Sequence, residues 1–164
     1  MRYAKIRSMD ISNGEGIGVA LFVQGCHFHC NNCFNSETWD FNGGKEWTDK
    51  TEEEFLELVN RPYIQRGSIL GGEPLENCNI SYLKNLLFKI PPNKTVWLYS
   101  GFTWEEISEV REKERLVILC DVLVDGRYIH ELRDINLKFR GSSNQRIIDV
   151  KKSLESGEVV LWDI

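Results

Sequence analysis

The chain of 164 residues is acidic, with a formal net charge of -5 and an apolar share of 41%. This length and apolar share suit one sizeable core, so we expect a single domain over residues 1–164. The acidic balance argues against a nucleic-acid partner, since such proteins usually show a large excess of Lys and Arg. No apolar run approaches the roughly 18 residues of a membrane span, and the start lacks an apolar signal segment. We therefore expect a cytoplasmic protein with no membrane partner.

The N-terminal region is predicted to form a β-hairpin. Apolar runs on either side of the Asn-Gly-Glu-Gly segment at residues 13–16 have the composition of two strands and a turn. The second run, residues 19–24, is predicted to be the first strand of the core. Three cysteines follow at its carboxyl end.

Helix-like and strand-like segments alternate from about residue 50 onward. Thr51 has capping-box spacing to Glu54, which predicts a helix that ends before Pro62. Residues 67–72 predict a strand that runs into glycines, and the apolar residues between 80 and 90 then follow helical spacing.

The same order repeats further along the chain. Residues 95–99 predict a strand, Thr103 begins a second capping box, and residues 116–124 form a nearly continuous apolar run that predicts another strand. Residues 147–154 are helix-like. The pattern predicts an α/β fold with a mostly parallel sheet, helical crossovers and cover on both faces. Ligands bind at the carboxyl ends of the strands in such sheets.

Cys26, Cys30 and Cys33 lie within eight residues, directly after the first predicted core strand. Closely spaced, soft thiolates select zinc, copper(I) or iron-sulfur clusters over hard cations. Three thiolates satisfy three irons of a four-iron cluster and leave the fourth iron open to a ligand, whereas structural zinc takes four protein ligands. The spacing therefore favours a [4Fe-4S] cluster.

A zinc site stays open as the alternative, because His27, His29 or Cys78 could supply a fourth ligand. Loop histidines are more often hydrogen-bonded packing groups, so we place both outside the metal site. Cys120 lies in an apolar run, where an isolated cysteine usually behaves as a small core residue. The odd total of five cysteines does not suit a secreted disulfide framework.

The CxxxCxxC spacing, together with the Gly-Gly-Glu-Pro segment at residues 71–74, resembles the radical S-adenosylmethionine (SAM) superfamily. This resemblance implies a partial (β/α) barrel-like core, a [4Fe-4S] cluster on the three cysteines, and SAM on the open iron beside Cys33. It also implies that the amino group of SAM lies against Gly71 and Gly72. Glycines let a ligand approach the backbone, and Glu73 can accept a hydrogen bond from an ammonium group. Alone, the tetrapeptide would be an ordinary turn.

Further cofactor contacts are expected around these motifs. Many superfamily members carry an aromatic residue where this chain has Asn32, so we assign part of the adenine contact to Phe34. Asn32 could instead hydrogen-bond to the ligand or to a cluster sulfur. Ser100 and Asp125 end predicted strands and would face the ribose or carboxylate, although a glycine follows each and an ordinary turn is the alternative. Asn144 belongs to a polar run that suits a ligand carboxylate, a partner's backbone or a solvated loop.

Three segments narrow the resemblance to one family: residues 25–30, residues 121–126 and the Gly-Ser-Ser-Asn-Gln-Arg run at 141–146. Across nearly its whole length, the chain resembles the activating proteins of anaerobic ribonucleoside-triphosphate reductases. This implies reductive cleavage of SAM to a 5'-deoxyadenosyl radical, which forms a glycyl radical on the reductase. The partners implied are the reductase and a low-potential electron donor such as flavodoxin. The alternatives are a small-molecule radical SAM enzyme of the deazapurine synthase type and a zinc-stabilised binding module.

The segment from residue 35 to residue 47 contains three aromatic side chains among polar residues: Trp39, Phe41 and Trp47. Aromatic residues are enriched at interface hot spots, although most buried ones fill space in the core. We expect core packing, with docking of a partner's glycine loop as the alternative.

Overall fold

The computed structural model describes residues 1–164 and contains seven strands and five α-helices. The strands are β1 (Arg2–Asp10), β2 (Gly18–Val23), β3 (Lys45–Glu46), β4 (Arg66–Gly71), β5 (Thr95–Tyr99), β6 (Val122–Asp125) and β7 (Arg146–Asp149). The helices are α1 (Asp49–Val59), α2 (Asn77–Lys89), α3 (Trp104–Ser108), α4 (Arg111–Val117) and α5 (Val150–Ser156). Short 3-10 turns occupy Ser36–Thr38 and His130–Leu132.

All seven strands form one sheet in the order β3-β1-β2-β4-β5-β6-β7. The central strands β2, β4, β5 and β6 run parallel, whereas β1, β3 and β7 pair antiparallel with their neighbours. The structure therefore confirms the α/β class, the mostly parallel sheet and the N-terminal hairpin of β1 and β2. The barrel-like closure of the core stays a prediction. None of the helices is long and apolar enough to cross a membrane.

The largest apolar core lies between the sheet and the helices. Helices α1 to α4 contribute Phe55, Leu86, Ile107 and Leu116 to it, whereas the smaller cores around Phe22 on the other face contain no helix residue. Along the chain, each new parallel strand joins the sheet at the same edge. Crossovers of the same handedness therefore place their helices on one face of the sheet. The second face is covered by loops, and it is there that clefts can open.

Two helix starts and one strand differ from the sequence-based prediction. Helix α1 begins earlier, because the hydroxyl of Thr48, and not that of Thr51, accepts a hydrogen bond from a first-turn N–H group. The capping box at Thr103 is confirmed, because the side chain of Glu106 accepts a hydrogen bond from the backbone N–H of Thr103. The helix-like run at 147–154 is divided, since its first residues pair with β6 and α5 begins only after Asp149.

The predicted strand over residues 116–124 is wrong in its first half. Leu116 and Val117 belong to the last turn of α4, and only Val122–Asp125 forms the strand. Leu116, Val117 and Cys120 are nonetheless buried in the main core. The run is nearly continuously apolar because the end of a helix, a turn and a strand each place side chains in the main core, and periodicity cannot separate them.

A buried ion pair fastens the hairpin turn to β4. The guanidinium of Arg66 donates to the Asp10 carboxylate at 2.9 Å, to the backbone oxygen of Glu15 at 3.0 Å and to the hydroxyl of Ser68 at 2.8 Å. Burial of Asp10 favours its neutral form, but the hydrogen bonds from Arg66 and Asn13 outweigh burial and lower the pKa of this carboxyl. The pair therefore stays charged and fully enclosed.

We expect the substitution Arg66→Met to lower the free energy of unfolding by about 3–5 kcal/mol, because it leaves Asp10 charged and unpaired in the interior. Urea unfolding at neutral pH measures this loss. The matched control is Arg115→Met, which removes an exposed pair with Glu112 and should cost about 0–1 kcal/mol. Equal losses for the two variants would contradict the role assigned to the buried pair.

Candidate metal centre and cofactor cleft

The cysteine loop leaves the end of β2 through Gly25, whose φ of 102° suits glycine. Two backbone hydrogen bonds tie the loop to the following 3-10 turn: Gly25 N–H to Thr38 O at 2.7 Å and Cys26 N–H to Trp39 O at 3.2 Å. A third joins it to the end of β4, from Glu73 N–H to Gly25 O at 2.8 Å. The start of the loop is thus held between two neighbouring segments.

The cysteines line a depression, here called the cysteine cleft, at the carboxyl ends of β2, β4, β5 and β6. The predicted site residues found in its walls are Cys26, Cys30, Cys33, Gly71, Gly72, Glu73 and Ser100. The three thiols share the cleft without converging on a point that one metal ion could occupy. The structure therefore brings the cysteine motif and the Gly-Gly-Glu segment together, as expected for a sheet of this kind.

Backbone N–H groups point at the sulfur atoms. Asn35 N–H donates to Cys33 Sγ at 3.4 Å, and burial raises the pKa of Cys30. Burial also raises the pKa of Cys26 to about 11, so this thiol is protonated until a metal binds and displaces the proton. Three soft donors with N–H groups directed at sulfur suit an iron-sulfur cluster, whose potential such bonds tune.

Glu73 is buried, and hydrogen bonds already occupy most of its carboxylate. It accepts from Leu75 N–H at 2.9 Å, from the hydroxyl of Ser100 at 2.8 Å and from Gly101 N–H at 2.7 Å. Burial raises the pKa of Glu73 to about 7, against the effect of these three donors. Since a carboxylate offers about four acceptor positions, one position is left for a ligand.

The two glycines of this segment are needed by the protein backbone. A Cβ atom on Gly71, whose φ is 109°, would lie 2.6 Å from the backbone nitrogen of Val23. On Gly72 it would lie 2.5 Å from Gly25 O and 2.9 Å from Thr38 O. The role predicted for these glycines is to let a ligand approach. The structure adds a different cause, because the backbone of β2 passes close to Gly71 and the cysteine loop passes close to Gly72.

Asp125 and Asn144 lie beside the cysteine cleft, in a polar pocket that shares Cys30 and Tyr128 with it. The buried carboxylate of Asp125 accepts from Trp104 N–H at 2.7 Å and pairs with Arg146 at 2.6 Å. The side-chain amide of Asn144 donates to a backbone oxygen at 2.8 Å. Both residues therefore already have protein partners, and neither lines the cleft.

Asn32 and Phe34 lie on another neighbouring depression, here called the outer groove. Its walls include Phe22, Asn32, Phe34, Ile135, Phe139 and Arg140. Asn32 has a φ of 59°, a left-handed conformation that asparagine tolerates better than an aromatic residue. Phe34 is 73% exposed, and its ring lies 5.1 Å from that of Tyr128. The backbone N–H of Asn35, next to Phe34, donates to Cys33 Sγ at 3.4 Å, and a hydrogen bond from Asn32 to the ligand or to a cluster sulfur stays a prediction.

Comparisons with known proteins agree with this geometry. The profile of a 4Fe-4S single cluster domain matches residues 12–148. The chain is 35% identical over 152 residues to the anaerobic ribonucleoside-triphosphate reductase-activating protein of Vibrio cholerae, which covers 90% of this chain and 97% of the relative. The protein of the same name in Escherichia coli is 35% identical over 150 residues, covering 88% and 96%. That of Enterobacteria phage T4 is 35% identical over 150 residues, covering 90% and 93%.

The chain belongs to the anaerobic ribonucleoside-triphosphate reductase-activating protein family. The cysteine cleft is also lined by Gln145, from the polar run noted in the sequence, and by Phe28, Tyr99 and Tyr128, which no sequence pattern had indicated. Tyr99 is the last residue of a correctly predicted strand, so its position at the sheet edge could have been inferred. Tyr128 reaches the site through a loop, and no local pattern indicates that placement.

The histidines and the remaining cysteines have other surroundings. His27 lies 2.9 Å from the carboxylate of Glu76, and the ring of His29 stacks on Trp39 at 4.4 Å. Cys120 is buried in the main core, which confirms its predicted role, whereas Cys78 is exposed on α2. Of the three aromatic residues in the segment after the cysteines, Trp47 packs in the main core.

We expect Gly72→Ala to lower the free energy of unfolding of the metal-free protein by about 2 kcal/mol or more, because the new methyl group meets two backbone oxygens. The matched control lies on β4, which ends one residue before Gly72. Gly67→Ala places its methyl group 3.6 Å from Ile90, an ordinary contact, and should be neutral or slightly stabilising. Urea unfolding of both variants tests the idea, which fails if Gly72→Ala is as stable as Gly67→Ala.

We expect anaerobically reconstituted protein to bind about four irons per chain, and Cys30→Ala to lose most of this iron. Cys78→Ala, which changes an exposed thiol away from the cleft, should keep the full iron content. Iron, sulfide and zinc analysis of the purified variants measures this. One zinc per chain and no iron in the unchanged protein would contradict an iron-sulfur site.

Proposed function

We propose that this protein is a radical SAM activase that generates a glycyl radical on an anaerobic ribonucleoside-triphosphate reductase. The observation that carries the proposal is the cysteine cleft, where three thiols meet the Gly-Gly-Glu segment at one edge of the sheet. Family membership supports the choice of reductase, because the relatives are named as its activating proteins. The 4Fe-4S profile supports the cluster.

In this proposal Cys26, Cys30 and Cys33 hold three irons of a [4Fe-4S] cluster. When bound, the reduced cluster supplies the electron that divides SAM into methionine and a 5'-deoxyadenosyl radical, which takes a hydrogen atom from a glycine of the reductase. The chain itself positions the cofactors and excludes water. Because the cofactors carry out the chemistry, no acid-base pair of side chains is required in the cleft.

The Gly-Gly-Glu segment is proposed to receive the methionine end of SAM. The remaining acceptor position of Glu73 suits the ammonium group, and the backbone of Gly71 and Gly72 lines the same cleft. Ser100 orients the Glu73 carboxylate through its 2.8 Å hydrogen bond. The Glu73 carboxyl attracts the cationic ammonium group of SAM, whether the carboxyl is ionised or shares a proton with that group.

The adenosine end is proposed to extend towards the other walls. Asn32 and Phe34 are assigned to the adenine side, where the ring of Phe34 already lies against Tyr128. Asp125 and Asn144 are assigned to the ribose side, from the polar pocket that adjoins the cleft. Asp125 and Asn144 each have a hydrogen-bond partner within the protein, so binding of SAM would add to these hydrogen bonds or replace them.

The wider architecture supports the same reading. We propose a single radical SAM domain over residues 1–164, with the sheet as a partial (β/α) barrel whose helices lie outside. Helices α1 to α4, which connect the parallel strands, all pack into one core, and the cleft lies on the other side of the strand ends. This placement supports the arrangement. A low-potential donor such as flavodoxin would reduce the cluster.

The decisive assay combines the anaerobic protein, a reductant, SAM and the purified reductase. We expect 5'-deoxyadenosine, together with a glycyl radical detected by electron paramagnetic resonance on the reductase. Replacing any cluster cysteine by Ala should abolish both products, and Cys78→Ala should preserve them. Cleavage of SAM with an altered small substrate and no glycyl radical would instead indicate a small-molecule enzyme, and absence of cleavage would refute the activase.

A further inference from the structure

The three residues between Cys26 and Cys30 all carry rings. Each of these rings lies against an aromatic ring from outside the loop: His27 against Phe41 at 4.6 Å, Phe28 against Phe102 at 4.7 Å, and His29 against Trp39 at 4.4 Å. The segment between the first two cysteines is therefore attached to the rest of the protein by ring contacts as well as by its backbone.

The contact between His29 and Trp39 has a geometry of its own. The planes of these two rings lie within 8° of parallel, whereas the planes of the His27 and Phe28 contacts are inclined by 43° and 67°. Stacked rings attract each other beyond the effect of the area that they bury. His29 directly precedes Cys30, so the stack restrains the chain immediately before this sulfur ligand.

Trp39 contacts the cysteine loop at both ends of this segment. Its backbone oxygen accepts from Cys26 N–H at 3.2 Å, and its ring stacks on the residue before Cys30. The indole also lines the cysteine cleft. Trp39 is half-buried and belongs to none of the three apolar cores, so the core packing predicted for its segment does not account for this residue.

The backbone of His29 has a conformation that needs support. Its φ of 47° lies in the left-handed region, where histidine and asparagine are tolerated better than most residues with a side chain. His29 is exposed, so burial in a core does not hold this conformation. The stack on Trp39 supplies a side-chain contact that does.

We propose that His29 and Trp39 are positioning residues of the cluster site, whose stack holds Cys30 at a fixed separation from Cys26 before iron binds. Ligands that are already in place lose less conformational freedom when they bind a metal, so the bound state is favoured. Neither ring is a metal ligand in this role. The inference rests on the iron-sulfur cluster of the proposed function and assigns two further residues to its support.

The test measures how fast a chelator of ferrous iron removes iron from the anaerobically reconstituted protein. His29→Asn removes the ring but keeps a residue that tolerates the left-handed backbone. Trp39→Leu removes the partner ring, whereas Trp39→Phe keeps an aromatic surface. We expect His29→Asn and Trp39→Leu to release iron about two- to tenfold faster, the factor that corresponds to one aromatic pair, and Trp39→Phe to restore most of the retention.

The matched control is His27→Asn, which makes the same change in the same loop. The ring of His27 lies against Phe41, which does not line the cysteine cleft, so iron release should stay close to that of the unchanged protein. An effect as large as that of His29→Asn would indicate a general disturbance of the loop and overturn the role of the stack.

A double variant, His29→Asn with Trp39→Leu, isolates the contact between the two rings. Because both changes remove the same contact, the double variant should release iron no faster than the faster single variant. Effects that multiply would show that the two residues act independently, which contradicts the proposal. Urea unfolding and circular dichroism of the metal-free variants identify any general loss of folding.

The outcomes separate this inference from the proposed function. Full iron content with the same release rate in every variant overturns the role of the stack and leaves the activase intact. A folded His29→Asn or Trp39→Leu protein that takes up less iron than His27→Asn supports the stack, because its ligands are then misplaced before binding. One zinc and no iron in the unchanged protein would overturn both proposals.

Discussion

The close passage of the cysteine loop over the end of β4 is the contact on which the site depends. Gly25 O accepts from Glu73 N–H at 2.8 Å, and Gly72 has no space for a side chain at the same crossing. This contact places the first cysteine and the buried carboxylate of Glu73 at one edge of the sheet. Because both segments end neighbouring parallel strands, their register sets the distance between metal ligands and cofactor contacts.

Most of the fold follows from local patterns in the sequence. The hairpin, β4, α2 and β5 are marked by turn residues, glycines and helical spacing, which act over a few residues. The errors occur where local signals compete. Thr48 and Thr51 both suit a helix start, and the apolar run from residue 116 combines a helix end with a strand because both face one core. The single-sided placement of helices depends on the order of strands in space.

Less of the site than of the fold could be predicted from the sequence. The cysteine motif and the Gly-Gly-Glu segment were recognised because their spacing and residue types carry chemistry. The partners of Asp125 and Glu73 could not be inferred, since Arg146 and Ser100 come from different strands and approach only in the folded chain. Tyr128 adjoins all three depressions, yet its short loop has no distinctive composition.

Protein contacts hold the start of the cysteine loop in place. Gly25 donates a backbone hydrogen bond to Thr38 and accepts one from Glu73, and the main core of 23 buried residues includes none of the three ligand cysteines. Small zinc domains, in contrast, unfold when the metal leaves. Because no ligand cysteine belongs to the main core here, replacing one of the three thiols removes no side chain from that core.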